Sequence, residues 1–194
     1  MKSVSILIVE DDFLQLQNLS DLLTISFRNV SIQSIESEFD FIKTFPMLKE
    51  IPPDLILMDV MLKWSTPESN APEPPPIILE EGFYNAGIRC LKLINSSLEI
   101  SKIPVIIRST YTKADIKEKL NFPQPNWVIV PKTTDNYEFL LNLRSLLPNL
   151  LDYVTEKSTS EKVLDSVTLK PSFLGMSIDL KKIFGLFKKK KNIS

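Results

Sequence analysis

The chain contains no histidine among its 194 residues. That excludes histidine metal ligands, Ser-His and Cys-His nucleophilic pairs, and any role as a phosphohistidine donor. Chemistry must therefore rest on carboxylates, hydroxyls and lysine. There is one cysteine, Cys90, so no intrachain disulfide can form, as expected of a reducing compartment. Cys90 falls in a helical pattern and reads as core packing. No stretch approaches the roughly 18 apolar residues of a membrane span. The apolar run Val4–Val9 is too short for a signal-peptide core, and the acids Glu10, Asp11 and Asp12 follow it with no small-residue cleavage site. The expected location is the cytoplasm.

What is present suits a globular domain: 43% of residues are apolar and 24% are charged. The length fits one domain plus extensions rather than two domains. Net charge is −1, but it is unevenly spread: from residue 177 onward six lysines against the single acid Asp179 give +5, leaving −6 on the rest. An acidic body with a basic end implies a separate partner for that end.

Short β-branched runs alternate with helical patterns over residues 1–150. Val4–Val9 is nearly continuous and apolar, as a strand buried on both faces should be. Asp12 can cap a helix carrying Leu16, Leu19, Leu23 and Phe27 at helical spacing. Val30–Ile35 alternates as a weaker strand, and Ser37 can cap a helix to about Phe45, where Pro46 disturbs the pattern. Leu55–Met58 leads a third strand into Asp59. A helix from about Glu80 carries Ile88, Leu91, Ile94 and Leu98, and further strands follow at residues 104–107 and Trp127–Val130. Thr133–Leu147 is a final helix. Five buried strands alternating with helices predict an α/β domain, a doubly wound parallel sheet with helices on both faces and its site at the carboxyl ends of the strands.

Two segments depart from a minimal domain. Residues 63–79 form a Pro-rich insertion with prolines at 67, 72, 74, 75 and 76, expected to be irregular. Trp64 and the pair Phe83-Tyr84 flank it, and they serve either core packing or partner binding. Residues 151–176 read as a polar linker. Residues 177–194 form a basic amphipathic tail, with Leu180, Ile183, Phe184 and Phe187 on one face.

The polar candidates all fall at strand ends: Glu10 and Asp11 after the first, Asp59 after the third, Ser109 after the fourth and Lys132 after the fifth. In a doubly wound sheet these ends converge. Three carboxylates brought together either raise a pKa or bind a divalent cation, and an all-oxygen site of this kind suits Mg²⁺. With the metal bound, Asp59 can remain ionised and act as a nucleophile. Lys132 and Ser109 would then stabilise transferring phosphoryl oxygens.

The texts ILIVEDD (6–12), LILMDVML (55–62), PVIIRST (104–110) and VPK (130–132) together resemble the response-regulator receiver domains of two-component signal transduction. The resemblance spans roughly residues 4–148 and implies the flavodoxin-like receiver fold. It implies a stand-alone response regulator in a phosphorelay, accepting a phosphoryl group on Asp59 from a histidine kinase or phosphotransfer protein. Such a domain is no conventional enzyme, but it catalyses its own phosphorylation and dephosphorylation. Asp11 and Asp59 would bind Mg²⁺ directly, Glu10 through water and Met61 through its backbone carbonyl. Ser109 would hold the switch hydroxyl position and Lys132 the phosphoryl-pairing position.

The departures from the family pattern are specific. The Pro-rich insertion follows the acceptor, and Glu81-Gly82 resumes the pattern. Thr133 replaces the usual proline after Lys132, Ile129 stands where the switch aromatic is expected, and Thr110 replaces a small residue. They bear on the switch, and they favour an alternative reading as a pseudo-receiver, a phosphorylation-independent protein-binding module. A haloacid-dehalogenase-like phosphatase would need a second Asp at position 61, where Met61 stands. About 44 residues after Leu150 leave no room for a DNA-binding output domain, so no direct DNA binding is expected. Output would pass to a downstream protein. The tail would dock on the domain, bind another protein or make weak membrane contact.

Overall fold

The computed structural model describes residues 3–27, 29–66, 72–122 and 126–147. The linker and tail expected after residue 150 lie outside the described residues. Five strands, β1 (Val4–Val9), β2 (Val30–Ile35), β3 (Leu55–Asp59), β4 (Val105–Ser109) and β5 (Trp127–Pro131), form one sheet in the order β2-β1-β3-β4-β5. Every pairing is parallel. The chain leaves β1 for β2 on one side and returns to β3 on the other. This reversal opens a crevice at the carboxyl ends of β1 and β3.

Alternation along the strands divides the core in two. Leu7, Val9, Ile56, Met58, Val105 and Ile107 face one way, against α2 (Glu38–Glu50), α4 (Ala86–Asn95) and α5 (Lys113–Leu120) through Phe41, Phe45, Leu48, Ile88, Leu91 and Ile116. Ile6, Ile8, Leu55, Leu57 and Ile106 face the other way, against α1 (Phe13–Ser26) and α6 (Asn136–Leu146) through Leu19, Leu23, Phe139 and Leu143. The central strands are apolar on both faces because both faces are covered. Strand β2 has a neighbour on one side only, and of its residues Ile35 alone is buried.

Local chemistry sets the element ends. The Asp12 carboxylate accepts the Gln15 N–H at the start of α1, and the Ser37 hydroxyl accepts the Asp40 N–H at the start of α2. Helix α2 does not stop at Pro46, as the sequence suggests, but runs on to Glu50. Pro46 lies on the exposed face, while buried Phe41, Phe45 and Leu48 hold the helix to the sheet.

The sequence also predicts one helix from about Glu80 to Leu98. The structure instead has α3 (Pro76–Glu81), a 3-10 turn at Phe83–Asn85, and α4 ending at Asn95, with Leu98 exposed beyond it. Gly82 makes the break at φ +79°, a conformation that a residue with a Cβ rarely takes. The Pro-rich insertion is thus partly regular, since Pro76 opens α3, where its missing N–H costs nothing. The final helix begins at Asn136 rather than Thr133, because Asp135 caps it by accepting the Glu138 N–H.

Helix α5 has no counterpart in the sequence reading. Only Ile116 and Leu120 of its eight residues are buried, so its apolar period is faint. Its readable signal is a capping box: Thr112 and Asp115 exchange side-chain-to-backbone bonds.

The insertion begins docked on α2. The backbone N–H groups of Glu38 and Phe39 donate to the carbonyls of Lys63 (3.0 Å) and Trp64 (2.8 Å), satisfying donors that a helix start leaves free. Trp64 is buried, packs against Phe39 with ring centroids 5.5 Å apart, and donates from Nε1 to the Pro72 carbonyl at 2.9 Å. It is therefore a packing residue of the insertion rather than an exposed contact. Across the same layer Arg89 donates to both oxygens of buried Glu38, each at 2.6 Å, and to Glu81 at 3.3 Å. This ties α4 to α2 and to the end of α3. Cys90, next to Arg89, is buried as expected, and its thiol is pushed well up by burial.

Candidate functional site

Residues two apart on a strand share a face, so Glu10 follows Ile8, Asp59 follows Leu57, and Lys132 follows Val130 on the α1/α6 side of the sheet. Asp11, one residue further along, turns off the end of β1. Ligand oxygens of Glu10, Asp11 and Asp59 lie within 4.8 Å of one another, with Glu10 and Asp59 buried and Asp11 half-buried. Positions 10 and 11 lie in one motif of the sequence and position 59 in another; the β1–β3 pairing makes them neighbours.

Lys132 reaches across from β5. Its Nζ donates to Asp59 Oδ2 at 2.9 Å and to Glu10 Oε1 and Oε2 at 3.2 and 3.1 Å. Each carboxylate also takes a backbone donor. Asp59 Oδ1 accepts the Met61 N–H at 3.2 Å, Asp11 Oδ2 the Lys63 N–H at 3.0 Å, and Glu10 Oε1 the Asp12 N–H at 3.3 Å. Ser109 is buried at the end of β4. Its hydroxyl accepts the Tyr111 N–H at 3.0 Å and its carbonyl accepts the Lys132 N–H at 3.0 Å, which fixes the backbone from which Lys132 extends.

The electrostatics follow from this crowding. Burial, then the Asp59 charge, raises the Glu10 carboxyl from 4.5 to about 7, against the pull of Lys132. Burial, and to a lesser extent the Asp59 charge, also raises Asp11. Burial alone would lower Lys132, but its bonds to Asp59 and Glu10 and their charges hold it above its ordinary value. Hard oxygen donors in surplus over the one bonded ammonium fit a small divalent cation, which would relieve the repulsion that lifts Glu10 and Asp11.

Two residues at this site escaped the sequence reading. Gly87, in the first turn of α4, lies so close to β3 that a Cβ there would stand 2.0 Å from the Asp59 carbonyl oxygen and 2.6 Å from Val60 Cα. Its N–H donates to the Val60 carbonyl at 2.9 Å. The glycine against the end of β3 is therefore Gly87; Gly82, at which the motif pattern resumes in the sequence, caps α3. The other is Arg108, paired in register with Asp59 and half-buried, its guanidinium 4.9 Å from the centre of the Phe139 ring. A charge inside an apolar strand, Val-Ile-Ile-Arg-Ser, was the available signal.

Fold and site together define a class. The described sheet and helices have the flavodoxin-like receiver fold. The chain is similar in structure to RcpA, the phosphorylated cyanobacterial phytochrome response regulator, with TM-score 0.54, 16% identity, and coverage of 79% of this chain and 100% of that one. It is also similar to the receiver domain of a sensor histidine kinase from Pseudomonas aeruginosa, described with a magnesium ion coordinated in its active-site cleft, with TM-score 0.53, 15% identity, and coverage of 76% and 99%. A third likeness is to the signal receiver domain of a histidine kinase from Syntrophus aciditrophicus, with TM-score 0.54, 18% identity, and coverage of 81% and 98%. At these identities the likeness is one of fold. No family model matches the chain, and no curated protein matches it. Among the described residues no helix is long and apolar enough to cross a membrane.

Proposed function

We propose that the domain is a response-regulator receiver that takes up a phosphoryl group on Asp59 from a histidine kinase or phosphotransfer protein. The observation that carries this reading is the convergence of Glu10, Asp11 and Asp59, with Lys132 Nζ bonded to Asp59 and Glu10. Glu10, Asp11 and Asp59, with the Met61 carbonyl, would hold Mg²⁺, which supplies charge neutralisation for the carboxylates and the incoming phosphoryl oxygens.

This chain's own residues do the rest. An Asp59 carboxylate oxygen attacks phosphorus as the bond from phosphorus to the donor nitrogen breaks, leaving an aspartyl phosphate and a free donor imidazole. Lys132, already within bonding distance of Asp59, moves its ammonium onto a phosphoryl oxygen as negative charge arrives there. The Ser109 hydroxyl, now an acceptor for the Tyr111 N–H, retains its own proton to donate to another. Output passes by protein contact to a downstream partner.

Intact-mass measurement after incubation with acetyl phosphate and Mg²⁺ tests the reading. A gain of one phosphoryl group, about 80 Da, that is lost in Asp59→Asn and in chelator is expected from transfer to one carboxylate. No gain, together with no Mg²⁺ binding, would overturn it and leave a phosphorylation-independent binding module.

A further inference from the structure

Arg108 has no explanation in packing. It stands beside Asp59 in register on β4, and the rest of its surroundings on that face are apolar: Ile106 precedes it, and Ile8, Leu19 and Leu57 line the recess it shares with Glu10 and Asp59. A leucine or methionine would fill that space without bringing a charge out of water. The guanidinium stays charged at any physiological pH, and its buried Nε has no hydrogen-bond partner. What compensates it is the Phe139 ring face at 4.9 Å and the field of the carboxylates on the same side of the sheet.

Strand geometry gives it a fixed bearing on the site. Register pairs Arg108 with Asp59, and alternation puts its side chain on the face that carries Glu10 and Asp59. Lys132 bonds these acids directly; Arg108 bonds neither and is stacked on α6 instead. Of the cations that act on the three carboxylates, Lys132 bonds Glu10 and Asp59, Lys63 acts on Asp11 through its charge, and Arg108 is held back from contact. An opposing charge held at a set place raises the free energy of a dication and lowers that of an oxyanion in the same site.

We propose that Arg108, anchored on Phe139 beside Glu10 and Asp59, is a built-in counter-charge that weakens Mg²⁺ binding and strengthens the hold on anionic phosphoryl oxygens. This rests on the receiver reading and adds a determinant to it. Such a site fills with metal at higher Mg²⁺ concentration than its carboxylates alone would require.

The test is calorimetric titration of the full chain with MgCl₂, then with beryllofluoride, a phosphoryl mimic, at saturating Mg²⁺. Arg108→Met should bind Mg²⁺ about tenfold more tightly and beryllofluoride several-fold more weakly, the scale of one unit charge in a partly screened site. Arg108→Lys, which keeps the charge, should stay near wild type in both. A merely structural role would loosen the site and weaken Mg²⁺ binding, so tightening is diagnostic. Arg108→Gln repeats the test should the Met variant unfold. Unchanged or weaker Mg²⁺ binding in both neutral variants overturns the inference while leaving the receiver reading intact, as does a Lys variant that behaves like Met. Failure of the wild type itself to bind Mg²⁺ overturns the receiver reading and the inference with it.

Discussion

Gly87→Ala should destabilise the domain and loosen its acidic site together. An alanine Cβ would sit 2.0 Å from the Asp59 carbonyl oxygen, 2.9 Å from its carbonyl carbon and 2.6 Å from Val60 Cα. All three atoms are main chain, and no rotamer change can move them. Either α4 retreats, breaking the Gly87 N–H bond to Val60, or the end of β3 shifts and carries Asp59 with it. Overpacking costs about 1–3 kcal/mol, and contact with backbone belongs at the upper end. Alanine returns up to about 1 kcal/mol through helix propensity, so the net loss is about 2 kcal/mol. With a urea dependence of about 1–3 kcal/mol per molar, the unfolding midpoint should fall by about 1 M. Urea unfolding followed by circular dichroism measures it, and Mg²⁺ titration reports the displaced carboxylate. Gly82→Ala provides a contrast: nothing lies within 4 Å of its Cβ, so its cost is only that of holding alanine at φ +79°. A midpoint for Gly87→Ala at or above wild type would refute the close approach of α4 to β3.

Two further outcomes follow from charge. In chelator, stability should fall as pH rises from about 4.5 to about 7, because folded Glu10 holds its proton to about 7 whereas the unfolded chain releases it near 4.5. The folded state binds more protons in that window, Asp11 acts in the same direction, and no histidine titrates there. Saturating Mg²⁺ should flatten or reverse the slope; stability that climbs with pH in chelator would contradict the placement of Glu10. Removing the cation from the second buried pair, by Arg89→Met, leaves the Glu38 carboxylate enclosed and should cost about 3 kcal/mol in thermal or urea unfolding. Adding Glu38→Gln should recover part of that loss, and a double variant no more stable than Arg89→Met alone would speak against the pair.

The sequence by itself determined which segments are strands and which polar residues stand at their carboxyl ends. The runs at residues 4–9, 55–58 and 104–107 are apolar on both faces, as only covered parallel strands need to be, and each motif acid, hydroxyl or lysine stands at a strand's carboxyl end. Caps at Asp12 and Ser37 were equally legible, because an N-cap bond spans only three residues. Helix α2 running past Pro46 was not legible: its continuation depends on Phe45 and Leu48 finding the sheet, and local propensity argues against it. Helix α5 was hidden because a polar helix held by two buried residues leaves almost no periodic trace. Only the tertiary structure decided that Gly87 rather than Gly82 meets the end of β3, that Trp64 closes the start of the insertion, and that Arg108 faces the carboxylates. Each depends on which face a residue turns toward a partner tens of positions away. Sequence patterns carry periodicity along one element, whereas close approach, charge pairing and burial are set by the register and packing between elements.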